Sequence, residues 1–325
     1  MLARVAERVY WLSRYMERAE NTARLVSVYS NLLLDLPKGA KVGWETMIEI
    51  IGAKKEFSAS NATPDERNII KFLLADRSNP TSIYSSLAMA RENARTTREI
   101  MPAEGWELIN DLYLYIKEQA GKSTSRNGRH LFLNKTISAC QQLTGLLSGT
   151  MSHNHAYDFV LLGRNIERAD MTSRIINIGA ANLIPDEGEP EVVLAFENTL
   201  WMNVLRSLHA YQMYRQNVRD RVNAEDVVAF LLLDVQFPRA IHYCLQELAN
   251  NARKLPAHEE CLGTMINTVL SIQDVNVSKI LGRKKLNKFI DKLQLEFAAI
   301  HKQIAKTWFL PETGVLSQSQ SQSAA

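Results

Sequence analysis

From Leu2 to Leu36 the chain has neither glycine nor proline, and Val5, Val9, Leu12, Met16, Ala19, Ala23 and Val26 recur there at spacings of three and four. An unbroken apolar stripe of that period and length predicts one long amphipathic helix. The rest of the chain follows the same rule. Its 14 glycines and 9 prolines are about 7% of the residues, against roughly 12% in average proteins. The prolines punctuate long unbroken stretches, as helix starts and stops do. Helical patterns continue through 81–101, 105–120, 130–149, 156–182, 191–215, 225–233, 238–254, 259–275 and 286–308, and no segment alternates with period two. The fold class expected is all-α, a pseudo-duplicated bundle or pair of bundles of long antiparallel helices. Loops are expected at 37–43, 54–64, 121–129, 185–190 and 216–224. The polar tail from Pro311, ending SQSQSQSAA, offers nothing to bury and reads as disordered.

The chain also repeats itself. WLSRYMERAENTARLV (11–26) aligns with LLGRNIERADMTSRII (161–176), keeping Leu12/Leu162, Arg14/Arg164, Glu17/Glu167, Arg18/Arg168, Ala19/Ala169, Thr22/Thr172 and Arg24/Arg174 as identities, with Glu20/Asp170 conserving charge. The repeat divides the chain into a half at 1–154 and a half at 155–310, each with one Glu-Arg motif, followed by the tail at 311–325.

On a helix, Arg14, Glu17, Asn21 and Arg24 share an arc opposite the apolar stripe. A solvated face has little reason to keep residue type across a repeat. In 82–101, Leu87, Arg91, Ala94 and Arg98 follow at spacings of four, three and four, with Glu92 beside them. Arginine cannot shed its charge, so guanidinium groups on an apolar stripe need carboxylates or an anionic ligand. The expectation is one polar network of Arg14, Glu17, Arg18, Asn21, Arg24, Arg91, Glu92, Arg98, Arg164, Glu167, Arg168, Asp170 and Arg174. It would either fix helix register or clamp a carboxylate or phosphate.

The opening LARVAERVYWLSRYMERAENTARLV is similar to the start of the bacterial Alpha-E family, an all-helical family named for its Glu-Arg motif. Further resemblance lies in ARENARTTRE (90–99), WELINDLYLY (106–115), GTMSHNHAYDFVLLGRNIERADMTSRIINI (149–178) and LLLDVQFPRAIHYCLQEL (231–248), covering most of residues 1–310. Matched to this chain, the family's motif falls at Glu17–Arg18 and Glu167–Arg168, and its FPR segment at Phe237–Pro238–Arg239. The resemblance implies a setting among ATP-grasp ligase-like and transglutaminase-like proteins, hence a system that makes or modifies peptides through amide bonds. It implies no reaction for the helical component itself.

Other chemistry finds little footing. Gly121-Lys122-Ser123-Thr124 lacks the glycine a phosphate-binding loop needs five positions earlier, where Ile116 stands. His153 and His155 have no partners at a recognised metal spacing. Cys140, Cys244 and Cys261 are scattered in apolar patterns and read as buried thiols. Tryptophans and tyrosines at helical spacing read as packing. The basic residues Arg283, Lys284 and Lys285, and Arg239 of the FPR segment, are candidates for docking a partner. A formal charge of +3 and a pI near 8.6 do not ask for nucleic acid or membrane, and no run approaches a bilayer span. The reading is a cytoplasmic, accessory, partner-binding protein with no metal or cofactor, and oligomerisation left open. The alternatives are an enzyme using Glu17 or Glu167 as acid or base with Arg14, Arg91 or Arg98 holding an anion, and a purely structural oligomeric scaffold.

Overall fold

The computed structural model describes residues 1–35, 42–183 and 197–310, with residues 180–183 described by backbone alone. Among these residues there are fifteen α-helices and no strand. In chain order they are α1 (Ala3–Asp35), α2 (Glu45–Ile51), α3 (Lys54–Ala59), α4 (Glu66–Leu74), α5 (Ile83–Arg95), α6 (Ala103–Gln119), α7 (Arg126–Thr150), α8 (His155–Leu183), α9 (Glu197–Ser207), α10 (Tyr211–Asn217), α11 (Ala224–Leu233), α12 (Ile241–Ala252), α13 (Glu259–Gln273), α14 (Val277–Ile280) and α15 (Arg283–Ile304). One wide turn, Ala305–Phe309, extends the last of them. No helix among the described residues is long and apolar enough to cross a membrane.

Side-chain caps set several starts. Asp65, Ser82 and Asn223 accept the backbone N–H of Asn68, Ser85 and Asp226 at the heads of α4, α5 and α11. Gly52, with φ 70°, ends α2 in the left-handed region. Four expected boundaries shift. The stretch 54–64 is not all loop, because α3 occupies its first turns, and α2 and α3 are too short for a period to show. The helix expected over 81–101 ends at Arg95, leaving Arg98 on a separate 3-10 turn, Arg98–Ile100. The pattern over 191–215 breaks at His209, whose φ of 53° no helix accommodates, into α9 and α10. Within 121–129 a 3-10 turn at Lys122–Thr124 leads into α7, so only the connection is loop. The expected loop at 185–190, most of that at 37–43, and the tail lie outside the described residues.

Successive long helices fold back on one another. Tyr84 and Arg91 of α5 meet Tyr113 and Trp106 of α6, and Tyr115 of α6 meets Phe132 of α7, each in antiparallel order. Arg129 of α7 reaches Ser30, and Leu147 shares a cavity wall with Leu12, so α7 also runs against α1. The two Glu-Arg helices are different. Ser13 donates to the Val160 carbonyl at 2.7 Å, Arg14 and Arg18 reach Glu167, and Arg168 reaches Glu17. The separation stays near 150 along the contact, so α1 and α8 lie side by side pointing the same way.

The helices around this pair repeat in order. α1 packs on α5 and α7, and α8 packs on α12 and α15; α5–α6–α7 and α12–α13–α15 each form a connected layer. A second sequence repeat, offset by 158, accompanies this. Phe72, Leu73, Leu74, Asp76, Pro80, Ile83, Leu87, Asn93, Ala94 and Arg95 recur as Phe230, Leu231, Leu232, Asp234, Pro238, Ile241, Leu245, Asn251, Ala252 and Arg253. Residues 1–154 and 155–310 nonetheless share one continuous apolar core.

The parallel pair approaches so closely that a Cβ on Gly163 would fall inside the Tyr10 carbonyl oxygen. Because backbone cannot move aside as a flexible side chain can, Gly163→Ala should cost ~2–3 kcal/mol or more in urea denaturation. Gly145, in α7 with open space where its Cβ would stand, should gain ~0.5–1 kcal/mol as alanine. Equal effects at the two sites would contradict the close approach.

Candidate functional site

From Ala19 to Val26 every residue of α1 is buried, including Glu20, Asn21, Thr22 and Arg24. The face opposite the apolar stripe is therefore covered, by α8 and by the corner that leads into α12. Two carboxylates organise it. Glu167 of α8, 4% exposed, accepts from Arg14 Nε at 2.8 Å and from Arg18 through Nε at 2.6 Å and Nη2 at 3.1 Å. Glu17 of α1, also 4% exposed, pairs with Arg168 Nε at 3.0 Å and Arg239 Nη1 at 2.7 Å. Each helix thus supplies the carboxylate for the other's arginine, 17 to 168 and 167 to 18.

Arg239 ties in the third element. Its Nη1 also donates to Asn21 Oδ1 at 2.7 Å, its Nη2 donates to Glu20 at 3.0 Å, and its carbonyl accepts from Thr172 at 2.9 Å. Buried to 8%, Arg239 cannot dock a partner as the sequence suggested. It is instead a member of the network that the motif repeat did not announce. The offset-158 repeat carries the signal: Thr81 stands where Arg239 stands, so only one half owns this arginine.

Arg24 pairs with Glu20 and, in the matching place, Arg174 pairs with Asp170 at 2.9 Å. Arg91, Glu92 and Arg98 lie elsewhere, which corrects the expectation that they complete the network. Arg91 donates to Asn110 at 2.8 Å and stacks near Trp106 and Tyr113. Arg98 lies 3.8 Å from the Trp106 ring centroid, and Glu92 pairs with exposed Arg95. The cause is the end of α5 at Arg95, which turns Arg98 away from the stripe. Lys284 and Lys285 are exposed on the first turn of α15, and Arg283 is half-buried there.

Burial alone would raise both glutamates, but the adjacent guanidinium groups outweigh it. Arg168 and Arg239 lower Glu17 to about 2, and Arg18 and Arg14 lower Glu167 to about 2. Neither carboxylate can carry a proton near neutrality, so neither suits a general acid, and both have their oxygens engaged. Six guanidinium groups (Arg14, Arg18, Arg24, Arg164, Arg168, Arg239) face three carboxylates (Glu17, Glu20, Glu167). The surplus is evident at Arg24, whose Nε and Nη1 are buried without partners, and at Arg164, whose pKa burial and the Arg168 charge depress. Arg164, Glu17, Glu20, Ser13 and Cys140 border a hollow of about 20 Å3. That volume holds a single water and not a substrate.

Around the network the side chains are inert. Burial pushes the Cys244 and Cys261 thiols up to about 12 and raises Cys140 as well. Burial, then the Arg14 charge, lowers His301 to about 4; its Nδ1 shares a 2.8 Å hydrogen bond with Tyr10. His153 stacks on Tyr157, and no cluster able to hold a metal occurs among the described residues.

Removing one partner of a buried pair leaves the other charge stranded. Glu17→Gln should therefore cost ~3–5 kcal/mol in denaturation, because Arg168 and Arg239 both lose it. The two glutamates are depressed in the folded state from an ordinary 4.5. Their contribution is therefore complete above pH 4.5 and is lost as pH falls through 4.5 toward 2. A Glu167→Gln variant should show a shallower loss of stability over that window than the parent. An unchanged slope would contradict the assignment.

A family model described as "a predicted alpha-helical domain with a conserved ER motif" matches residues 1–309. Uncharacterised proteins of Mycobacterium bovis and Mycobacterium tuberculosis are 20% identical over 274 residues, a match covering 78% of this chain and 30% of theirs. The chain thus spans under a third of the length of these curated relatives. No solved structure matches it significantly. With the Glu-Arg motif present at Glu17–Arg18 and Glu167–Arg168 and the match running through nearly all of the helical body, the chain belongs to the Alpha-E family.

Proposed function

We propose that this protein is a non-catalytic component that binds partners in an ATP-grasp-linked system for making or modifying amide bonds. The Glu-Arg network acts inside it as a pin that holds α1 and α8 in register, and binding is done by the outer helices. One observation carries this reading. On the face of α5 and α6 an arginine–aromatic ladder runs Arg98, Trp106, Arg91, Tyr113, Tyr84, Arg77, with neighbours 3.8 to 6.1 Å apart. Arg77 and Arg98 are exposed and the rest half-buried. Tryptophan, tyrosine and arginine are the residues that dominate binding energy at protein interfaces, and stacking pre-orders the arginine side chains. The longer mycobacterial relatives support the same reading, since the helical unit there is joined to further polypeptide.

The basic turn at Arg283, Lys284 and Lys285 is a second, electrostatic contact for such a partner. Oligomerisation and a cytoplasmic setting belong to this proposal as well. The test is co-purification of the protein with an ATP-grasp ligase-like protein encoded in the same genome, and ATP hydrolysis measured with and without it. A complex should form, the hydrolysis rate should change, and Arg98→Glu should weaken the complex by roughly tenfold or more. Absence of a complex, or binding indifferent to Arg98→Glu, would contradict the proposal.

A further inference from the structure

A cavity of about 140 Å3 opens between the C-terminal part of α1 and the N-terminal turns of α7, away from the Glu-Arg network. Its walls divide by chemistry. α7 contributes Arg126, Arg129 and His130, α1 contributes Ser27, Ser30 and Asn31, and Glu66 of α4 closes one side. Arg129 is 4% exposed, yet its Nε has no hydrogen-bond partner. Its Nη1 donates to Ser30 Oγ at 3.2 Å and its Nη2 to Glu66 at 2.9 Å. Arg126 grips the same carboxylate through Nε at 3.2 Å and Nη2 at 3.0 Å. His130 shares a hydrogen bond with Asn134 on its own helix.

The geometry points to a binding site for a small monocarboxylate that also carries a hydroxyl or amino group. Two guanidinium groups against one glutamate leave a single positive charge, which one carboxylate balances and a phosphate dianion would exceed. The positive end of a 25-residue helix adds to the attraction for an anion. Opposite the charge, Ser27, Ser30 and Asn31 offer donors and acceptors to a hydroxyl or amino group, and Leu34 and Leu133 complete the lining beside its short carbon skeleton. A cavity of this size accepts a guest of about six heavy atoms. The site stands independently of the partner-binding proposal.

Calorimetric titration of the full chain at low salt with acetate, L-lactate, L-serine and inorganic phosphate tests this. L-lactate or L-serine should bind with 1:1 stoichiometry and a Kd on the order of 1 mM, acetate more weakly, and phosphate most weakly. Ser30→Leu, which fills the cavity at the cost of one hydrogen bond to Arg129, and Arg126→Gln, at an exposed side chain whose loss should spare the fold, should each weaken binding by roughly tenfold or more, and Arg126→Gln should melt as the parent does. No saturable binding by any of the three carboxylates would overturn the assignment. So would phosphate binding more tightly than all of them, or a folded Arg126→Gln variant that binds like the parent.

Discussion

Two carboxylates exchanged between two parallel helices are the constraint on which the fold rests. Glu17 on α1 must find its charge partner on α8, and Glu167 on α8 must find its partners on α1. A buried ion pair adds little net stability over apolar packing, because desolvation consumes most of the attraction. What it imposes is position. A slip of one helical turn, about 5.4 Å, would break the 17–168 and 167–18 pairs together and leave each glutamate with fewer partners, so the exchange favours a single register. Gly163 acts with it, since only its missing side chain lets the helices come close enough for both pairs to close.

The rest of the chain follows from holding two parallel helices together. Parallel neighbours cannot be joined by a short turn, so α2 to α7 intervene; α5 and α7 pack on α1, α12 and α15 pack on α8, and α2 and α9 each touch both. Arg239 breaks the even exchange. Arriving from the corner before α12, it bridges Glu17, Glu20 and Asn21, and the matching corner before α5 offers only Thr81. With Arg239 holding Glu17, Arg164 is left facing a water-sized hollow, while its counterpart Arg14 is fully engaged with Glu167. The surplus positive charge is thus shut in, whereas the cavity at the head of α7 is lined by Arg126 and Arg129 and opens to solvent.

Much of this was legible in the sequence, for a physical reason. A stripe of period 3.6 sustained over thirty residues has one solution, and α1, α6, α7, α8, α13 and α15 follow theirs closely. A repeat that keeps polar residues as identities signals burial, and Glu17, Arg18, Glu167 and Arg168 are indeed held in the interior between the two helices. Arg98 departs from the four-three-four spacing because α5 ends at Arg95, which nothing local advertises, and Arg91 keeps its helical place but faces Asn110, Trp106 and Tyr113 of α6. Short helices such as α2 and α3 span too few turns to show a period. Arg239 depended on contacts more than two hundred residues apart, which no window along the chain reports, and the parallel course of α1 and α8 is likewise a long-range property.

If the exchange between α1 and α8 governs the register, its members must be energetically coupled and not merely adjacent. A double-mutant cycle between Arg18→Gln and Glu167→Gln, read by urea denaturation, measures that directly. A coupling energy of ~1.5–3 kcal/mol is expected, as for groups sharing one buried network. A coupling within ~0.5 kcal/mol of zero, as for independent sites, would contradict it.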